Sequence, residues 1–273
     1  MDNFSNLMMI NECLLDKKRV ALFTKAVLET VKIGDTVLDA GSGSGILSFL
    51  ALKAGARKVY SVEIDPAISE IIKNNAVKLG YSREIEIINQ DVKKVNLPPV
   101  DVVIMEMLDT WLVAEQELPA INALVNAGVI GKTTSVIPAG VRNYIQFVDY
   151  DFNFYGFYMP QPVQARNFGV MGRIKSTFST PLFVDKIDLN KLNSPERTGR
   201  TTFISKYGGT INAAVLKTKL LLTKTTATWG TTDMNMPVIV PLKPLSVMPG
   251  QQITTEISYT AATGFDAVHI ELS

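Results

Sequence analysis

The sequence predicts a doubly wound α/β fold followed by an antiparallel β domain of barrel-like form. Three observations predict it. Residues 36–137 alternate short apolar runs with stretches of helical periodicity, the pattern of repeated βαβ units. A glycine-rich turn, Gly41-Ser-Gly-Ser-Gly45, joins the first apolar run to the helix after it. Beyond Pro138 the texture changes to short alternating runs rich in Thr, Val, Tyr and Phe, separated by turn residues. Two domains are therefore expected, 1–138 and 139–273.

Taken in order, residues 11–31 read as one helix, with Leu14, Leu15, Ala21, Leu22, Ala26 and Val27 forming its apolar stripe. The first strand covers 36–39, and a helix over 46–53 stops before Gly55. Residues 58–63 form the second strand. Pro66 sits at a helix start, and Ile68, Ile71, Ile72, Ala76 and Leu79 keep helical spacing as far as Gly80. A third strand spans 85–89. The fourth, 100–105, is a continuous apolar run, as a parallel strand buried on both faces requires. A helix over 118–125 and a strand over 134–137 complete a Rossmann-like sheet, with its ligand crevice at the carboxyl ends of the strands. In the second half, strands are expected over 141–148, 201–205, 213–222, 237–241, 254–259 and 267–272. Residues 155–180 fit neither pattern and read as an arm or loop with exposed aromatics.

Composition narrows the function. The 273 residues are 47% hydrophobic and 19% charged, enough for a sizeable core and unlike a long disordered chain. Net charge is +1, whereas a protein built around a nucleic-acid backbone carries a clear basic excess, so nucleic acid is not indicated. Cys13 is the one cysteine, which excludes an internal disulfide and fits a reducing, cytoplasmic compartment. The first ten residues lack a basic stretch followed by an apolar one, so no signal peptide is expected. No apolar run reaches the roughly 18 residues that span a bilayer.

The glycine turn is flanked by two acids. Asp39 precedes it, and Glu63 stands about 20 residues on, at the tip of the second strand, where a carboxylate can accept both hydroxyls of a ribose. A lone Gly-x-Gly would favour a turn that only packs strand against helix. With Asp39 before it and Glu63 after it, the reading is nucleoside binding. The form looks like the turn of S-adenosylmethionine-dependent methyltransferases, in which Asp39, Gly41 and Gly43 would border the methionine part of the ligand. Asp91 and Val92, after the third strand, are expected at the adenine, with Asp91 as a plain turn residue the alternative. Met8 and Met9 either cover the cofactor or pack a helix.

Glu106-Met-Leu-Asp-Thr-Trp-Leu-Val-Ala-Glu115 follows the fourth strand, where this fold carries its chemistry. Glu115 could simply favour the first turn of the next helix. Glu106, ending a buried strand, is partly desolvated and needs a cationic partner. Here the sequence resembles the protein arginine methyltransferases. The spacing of Glu106 and Glu115 is that of the family's double-E loop. Asp16-Lys-Lys-Arg19, Ala54-Gly-Ala-Arg-Lys-Val-Tyr60, Asn96-Leu-Pro98, Phe154-Tyr-Gly-Phe157 and Thr226-Ala-Thr-Trp229 follow in the family's order. The likeness is strong over 16–138 and weak after.

The resemblance implies that Arg19 binds the carboxylate of S-adenosylmethionine. It also implies that Glu106 and Glu115 clamp a guanidinium as catalytic residues; Trp229 is expected at the acceptor pocket, and Asp109 there as a third carboxylate. It implies a protein substrate and, through Tyr155, Phe157 and Tyr158, a homodimer contact, hydrophobic filling between domains being the alternative. There are departures. Thr228 replaces the family's histidine, Asp109 its loop glycine, and of its paired N-terminal tyrosines only Phe4 stands nearby. His269, the single histidine, belongs to a terminal strand and reads as structural. Trp229 reads equally as a barrel-core residue. The leading function is methyl transfer to a protein side-chain nitrogen, most readily arginine. The alternatives are a small-molecule or RNA methyltransferase and a non-catalytic subunit of the same fold. No metal site is indicated.

Overall fold

The computed structural model describes residues 7–165, 169–229 and 235–273. Phe4 lies outside them. The first half runs α1 (Leu7–Leu15), α2 (Lys17–Thr30), β1 (Thr36–Ala40), α3 (Ile46–Lys53), β2 (Lys58–Glu63), α4 (Pro66–Leu79), β3 (Ile85–Asn89), β4 (Val102–Met105), α5 (Glu117–Asn126) and β5 (Ser135–Ile137). The five strands form a parallel sheet in the order β3-β2-β1-β4-β5. Strand order reverses between β1 and β4, so the crevice of this sheet opens at their carboxyl ends. All four residues of β4 are buried, which is why its sequence is apolar without alternation. Local chemistry sets the ends of α4. Asp65 accepts the Ala67 and Ile68 N–H groups at 2.8 and 3.1 Å, Pro66 occupies the first turn, and Gly80 closes the helix at φ 79°.

The expected single helix over 11–31 is two. Asp16 breaks it by accepting the Arg19 N–H at 2.9 Å, capping α2 rather than continuing α1. Strand β4 begins at Val102 rather than at residue 100, because the Val100 N–H is drawn to the Val129 carbonyl at 3.2 Å.

The second half is antiparallel throughout. Its strands are β6 (Gly140–Tyr150), β7 (Asn153–Phe154), β8 (Phe157–Tyr158), β9 (Val163–Gln164), β10 (Ile174–Thr177), β11 (Leu182–Asp188), β12 (Glu196–Ile204), β13 (Gly209–Leu221), β14 (Ala227–Thr228), β15 (Val238–Val247), β16 (Gln252–Thr260) and β17 (His269–Leu272). Strands β10-β6-β13-β15-β9 form the main sheet, with β11 beside β6 and β14 beside β13. Strands β12-β16-β17 form a second sheet, and a barrel-like core lies between the two. Residues 155–180, which fitted no pattern, contribute the β8 end of a hairpin with β7 together with β9 and β10. Strand β11 was not expected either. Its bulge at Phe183/Asp185 breaks the alternation that sequence reading depends on.

The tryptophan in this core is not Trp229 but Trp111, which arrives from the loop after β4. Trp111 is fully buried, with its ring 5.2 Å from that of Tyr259. Its indole N–H faces the Tyr144 and Lys217 carbonyls, each at 3.2 Å. Its backbone N–H is held at 2.8 Å by Thr218, whose hydroxyl continues into a buried network of Asn143, Asp185, Tyr259 and Arg197. Trp111 and Leu112 adopt φ of 66° and 57°, a left-handed conformation that these side chains tolerate only when surroundings impose it. Truncation Trp111→Ala is expected to cost about 3–5 kcal/mol. Chemical denaturation monitored by far-UV circular dichroism checks this, and a loss below about 1 kcal/mol would contradict the anchoring role.

Candidate active site

The glycine turn after β1 bends because Gly41, Gly43 and Gly45 take φ of 74°, 51° and 78°. A Cβ on Gly41 would stand 2.9 Å from Met107 Sδ, so the turn and the loop after β4 interlock at a point where only glycine fits. Asp39 lies beneath the turn. Its carboxyl accepts the Ser48 hydroxyl at 2.6 Å, and burial raises it to about 6. Glu63 ends β2, one oxygen accepting Gly43 N–H and the other Asp65 N–H, both at 2.9 Å.

Between these elements and the loop after β4 lies a pocket lined by Arg19, Gly41, Glu63, Glu106 and Glu115. Asp91 and Val92 line it on the β3 side. Asp91 also caps a short turn by accepting the Lys93 N–H at 3.0 Å. Arg19 and Glu106 form a buried ion pair, Nη2 to Oε2. Arg19 Nη1 donates to the Cys13 carbonyl at 3.1 Å, and its Nε is buried without a partner. A guanidinium, a carboxylate at a strand tip and a glycine floor around one pocket together suit an amino-acid nucleoside with a carboxylate at one end.

Glu115 sits on the far side of the loop. Burial, then the nearby Glu106 and Asp109 carboxylates, lift its proton affinity well above the ordinary carboxylate range. A cationic guest would relieve that repulsion. Asp109 does not line the pocket. Its carboxylate accepts the N–H groups of Ala114 and Glu115, at 2.9 and 3.2 Å, and burial lifts it to about 7. Trp229 is not in the lining either. It is half exposed, its ring tilted at 4.9 Å from that of Tyr144, and lies beneath Lys219. Met9 lines the pocket, whereas Met8 is exposed.

Sequence reading did not single out Cys13, Gln90 or Gln116 as wall residues, nor Glu117 behind the wall. Cys13 carried a signal only in hindsight of the break at Asp16, which turns α1 over the pocket. Glu117 is fully buried and accepts the Met107 N–H at 3.1 Å.

Comparison with known proteins places this geometry in context. The family model for ribosomal protein L11 methyltransferase matches residues 20–137. An uncharacterized protein of Methanocaldococcus jannaschii is 27% identical over 260 residues, covering 95% of this chain and 94% of that one. An arginine N(omega)-methyltransferase of Streptomyces achromogenes is 34% identical over 112 residues, 39% of this chain and 31% of that one. The Trypanosoma brucei PRMT1 enzyme-prozyme heterotetrameric complex with AdoHcy contains a chain of the same fold, at a TM-score of 0.78 and 16% identity, covering 100% of this chain and 98% of that chain. PRMT6 follows at 0.75 and 15%, with 98% and 99% covered.

The buried acids make stability depend on pH. The folded-state value of Asp109, about 7, lies above its ordinary 3.8, so its contribution is whole below about pH 4 and is lost as pH rises through 7. Asp39 acts in the same sense up to about 6. Unfolding free energy should therefore fall from about pH 4 to about 7, by up to roughly 1.4 kcal/mol per pH unit for each group, Asp39 contributing only up to about 6. Asp109→Asn should flatten that slope, which denaturant titrations at several pH values would measure. An unchanged slope would contradict the assignment.

Proposed function

We propose that this chain, an S-adenosylmethionine-dependent methyltransferase similar to the protein arginine methyltransferases, methylates a guanidinium nitrogen of arginine in protein substrates. One observation carries the reading: Glu106 and Glu115 border the same pocket as Arg19 and Glu63, and Glu106 already pairs with a guanidinium, that of Arg19. The cofactor, when bound, supplies an electrophilic methyl group on a sulfonium. Arg19 would hold its carboxylate, and Glu63 its ribose hydroxyls. Asp91 and Val92 would border the adenine. Gly41 and Gly43 would give close backbone approach, with Asp39 bracing the turn from below.

The chain's own part is positioning and electrostatics. Two carboxylates can hold a planar guanidinium through paired N–H bonds, a match that a lysine ammonium does not make. Drawing positive charge toward the held nitrogens leaves the remaining one more nucleophilic. A guanidinium has a pKa above about 12, so its proton leaves with methylation or after it. Glu115, whose surroundings strengthen its hold on a proton, is the carboxylate suited to receive it. With Thr228 in place of a histidine, no imidazole stands at that position. Free arginine is the second reading, favoured by the name of the Streptomyces relative.

Transfer of labelled methyl from S-adenosylmethionine should reach a single-arginine peptide and not its lysine counterpart. Glu106→Gln and Glu115→Gln should each lower kcat/KM at least about 100-fold with cofactor binding retained. Label in free arginine alone would establish the second reading. Label in the lysine peptide, or undiminished transfer by both variants, would sink the clamp.

Self-association through the β7–β8 hairpin is proposed as well. Tyr155 is fully exposed at its tip, with Phe157 and Tyr158 beside it. Tyr155→Ser with Phe157→Ser should convert a dimer to a monomer in sedimentation velocity. A monomeric wild type would contradict this.

A further inference from the structure

Two acids, Asp109 in the loop after β4 and Glu117 at the start of α5, stand outside the pocket wall, and each accepts a backbone N–H at or next to one of the two glutamates that line it. Asp109 accepts the backbone N–H of Glu115 itself, at 3.2 Å, and that of Ala114. Glu117, the first residue of α5, reaches back to the N–H of Met107, the residue next to Glu106, at 3.1 Å. No other hydrogen bond satisfies that N–H among the described residues. Met107 is also the residue whose sulfur lies where Gly41 lacks a Cβ. The Glu117 bond thus closes the neck of the loop and sets the Glu106 backbone against the glycine turn.

We propose that Glu117 is a positioning residue, which fixes Glu106 in the pocket by holding the Met107 amide, as Asp109 fixes Glu115. The proposal rests on the reading of Glu106 and Glu115 as the acceptor clamp. Glu117 touches neither cofactor nor acceptor, since it is fully buried and absent from the pocket wall. Its Oε2 serves Met107 while its Oε1 is buried without a partner. An ionised carboxylate with an orphan oxygen, next to Glu106, Glu115 and Asp109, would be poorly tolerated, so the group acts in its neutral form. A neutral carboxyl keeps an acceptor for the amide without adding charge behind the clamp. An amide side chain of the same length would do likewise, and an apolar one would not.

Glu117→Gln and Glu117→Met separate these cases. Three readouts are taken on each folded variant: exchange protection of the Met107 amide by NMR, affinity for S-adenosylmethionine by calorimetry, and steady-state methylation of the single-arginine peptide. Glu117→Gln should keep the protection and hold kcat within about threefold. Glu117→Met should lose protection at least about tenfold and lower kcat by about 10- to 100-fold, with cofactor affinity changing far less. Equal impairment of both variants would overturn the proposal, because charge rather than the bond would then matter. So would retained protection or retained kcat in Glu117→Met. If the wild type transfers nothing to the peptide, the clamp reading fails, and the amide exchange still decides whether Glu117 holds Met107.

Discussion

The indole of Trp111 belongs by sequence to the parallel half and by packing to the antiparallel half. Of its partners, Thr218, Lys217 and Tyr259 come from strands β13 and β16, more than a hundred residues away in the chain. Glu106 and Glu115 lie on either side of it, and the backbone of the loop that carries them passes through the second core. Two further bonds pin the far side of the loop. Ala262 N–H donates to the Leu112 carbonyl at 3.0 Å, and Gly264 N–H to that of Val113 at 2.6 Å. The β half is thus a mount for the carboxylate loop as well as a surface beside it, and positive φ at Trp111 and Leu112 is sustained by that mount.

Electrostatics supply the second constraint. Glu106, Asp109, Glu115 and Glu117 are crowded into one loop, largely out of water, with Arg19 as the cation paired to it. Burial and mutual repulsion raise the proton affinity of Asp109, Glu115 and Glu117. Holding a proton is how such crowded, buried acids avoid facing one another as charges. Of the two acids outside the pocket wall, Asp109 uses both oxygens on backbone N–H groups and Glu117 uses one.

Much of this was legible in the sequence, because it depends on local rules. Strand–helix alternation, the caps at Asp65, Pro66 and Gly80, and the three glycines fix the parallel sheet and its turn through backbone preferences within a few residues. The spacing of Glu63 from the turn, and of Glu106 from Glu115, likewise follows from strands ending at one edge of that sheet. The break of the first helix at Asp16 was not legible, since an aspartate at that position reads equally as a helix-surface residue until its side chain is seen on the Arg19 N–H. Nor was strand β11, whose bulge erases the period of two.

What the sequence determined by itself was the order of elements, the glycine turn and which acids stand at strand ends, each set by short-range chemistry. What only the tertiary structure decided was direction. It sends Trp111 rather than Trp229 into the barrel-like core, pairs Arg19 with Glu106, and turns Asp109 and Glu117 inward as braces for the loop. These choices depend on contacts between residues far apart in the chain. Aromatic rings and carboxylates read alike in a sequence whether they face a ligand, a neighbouring amide or water.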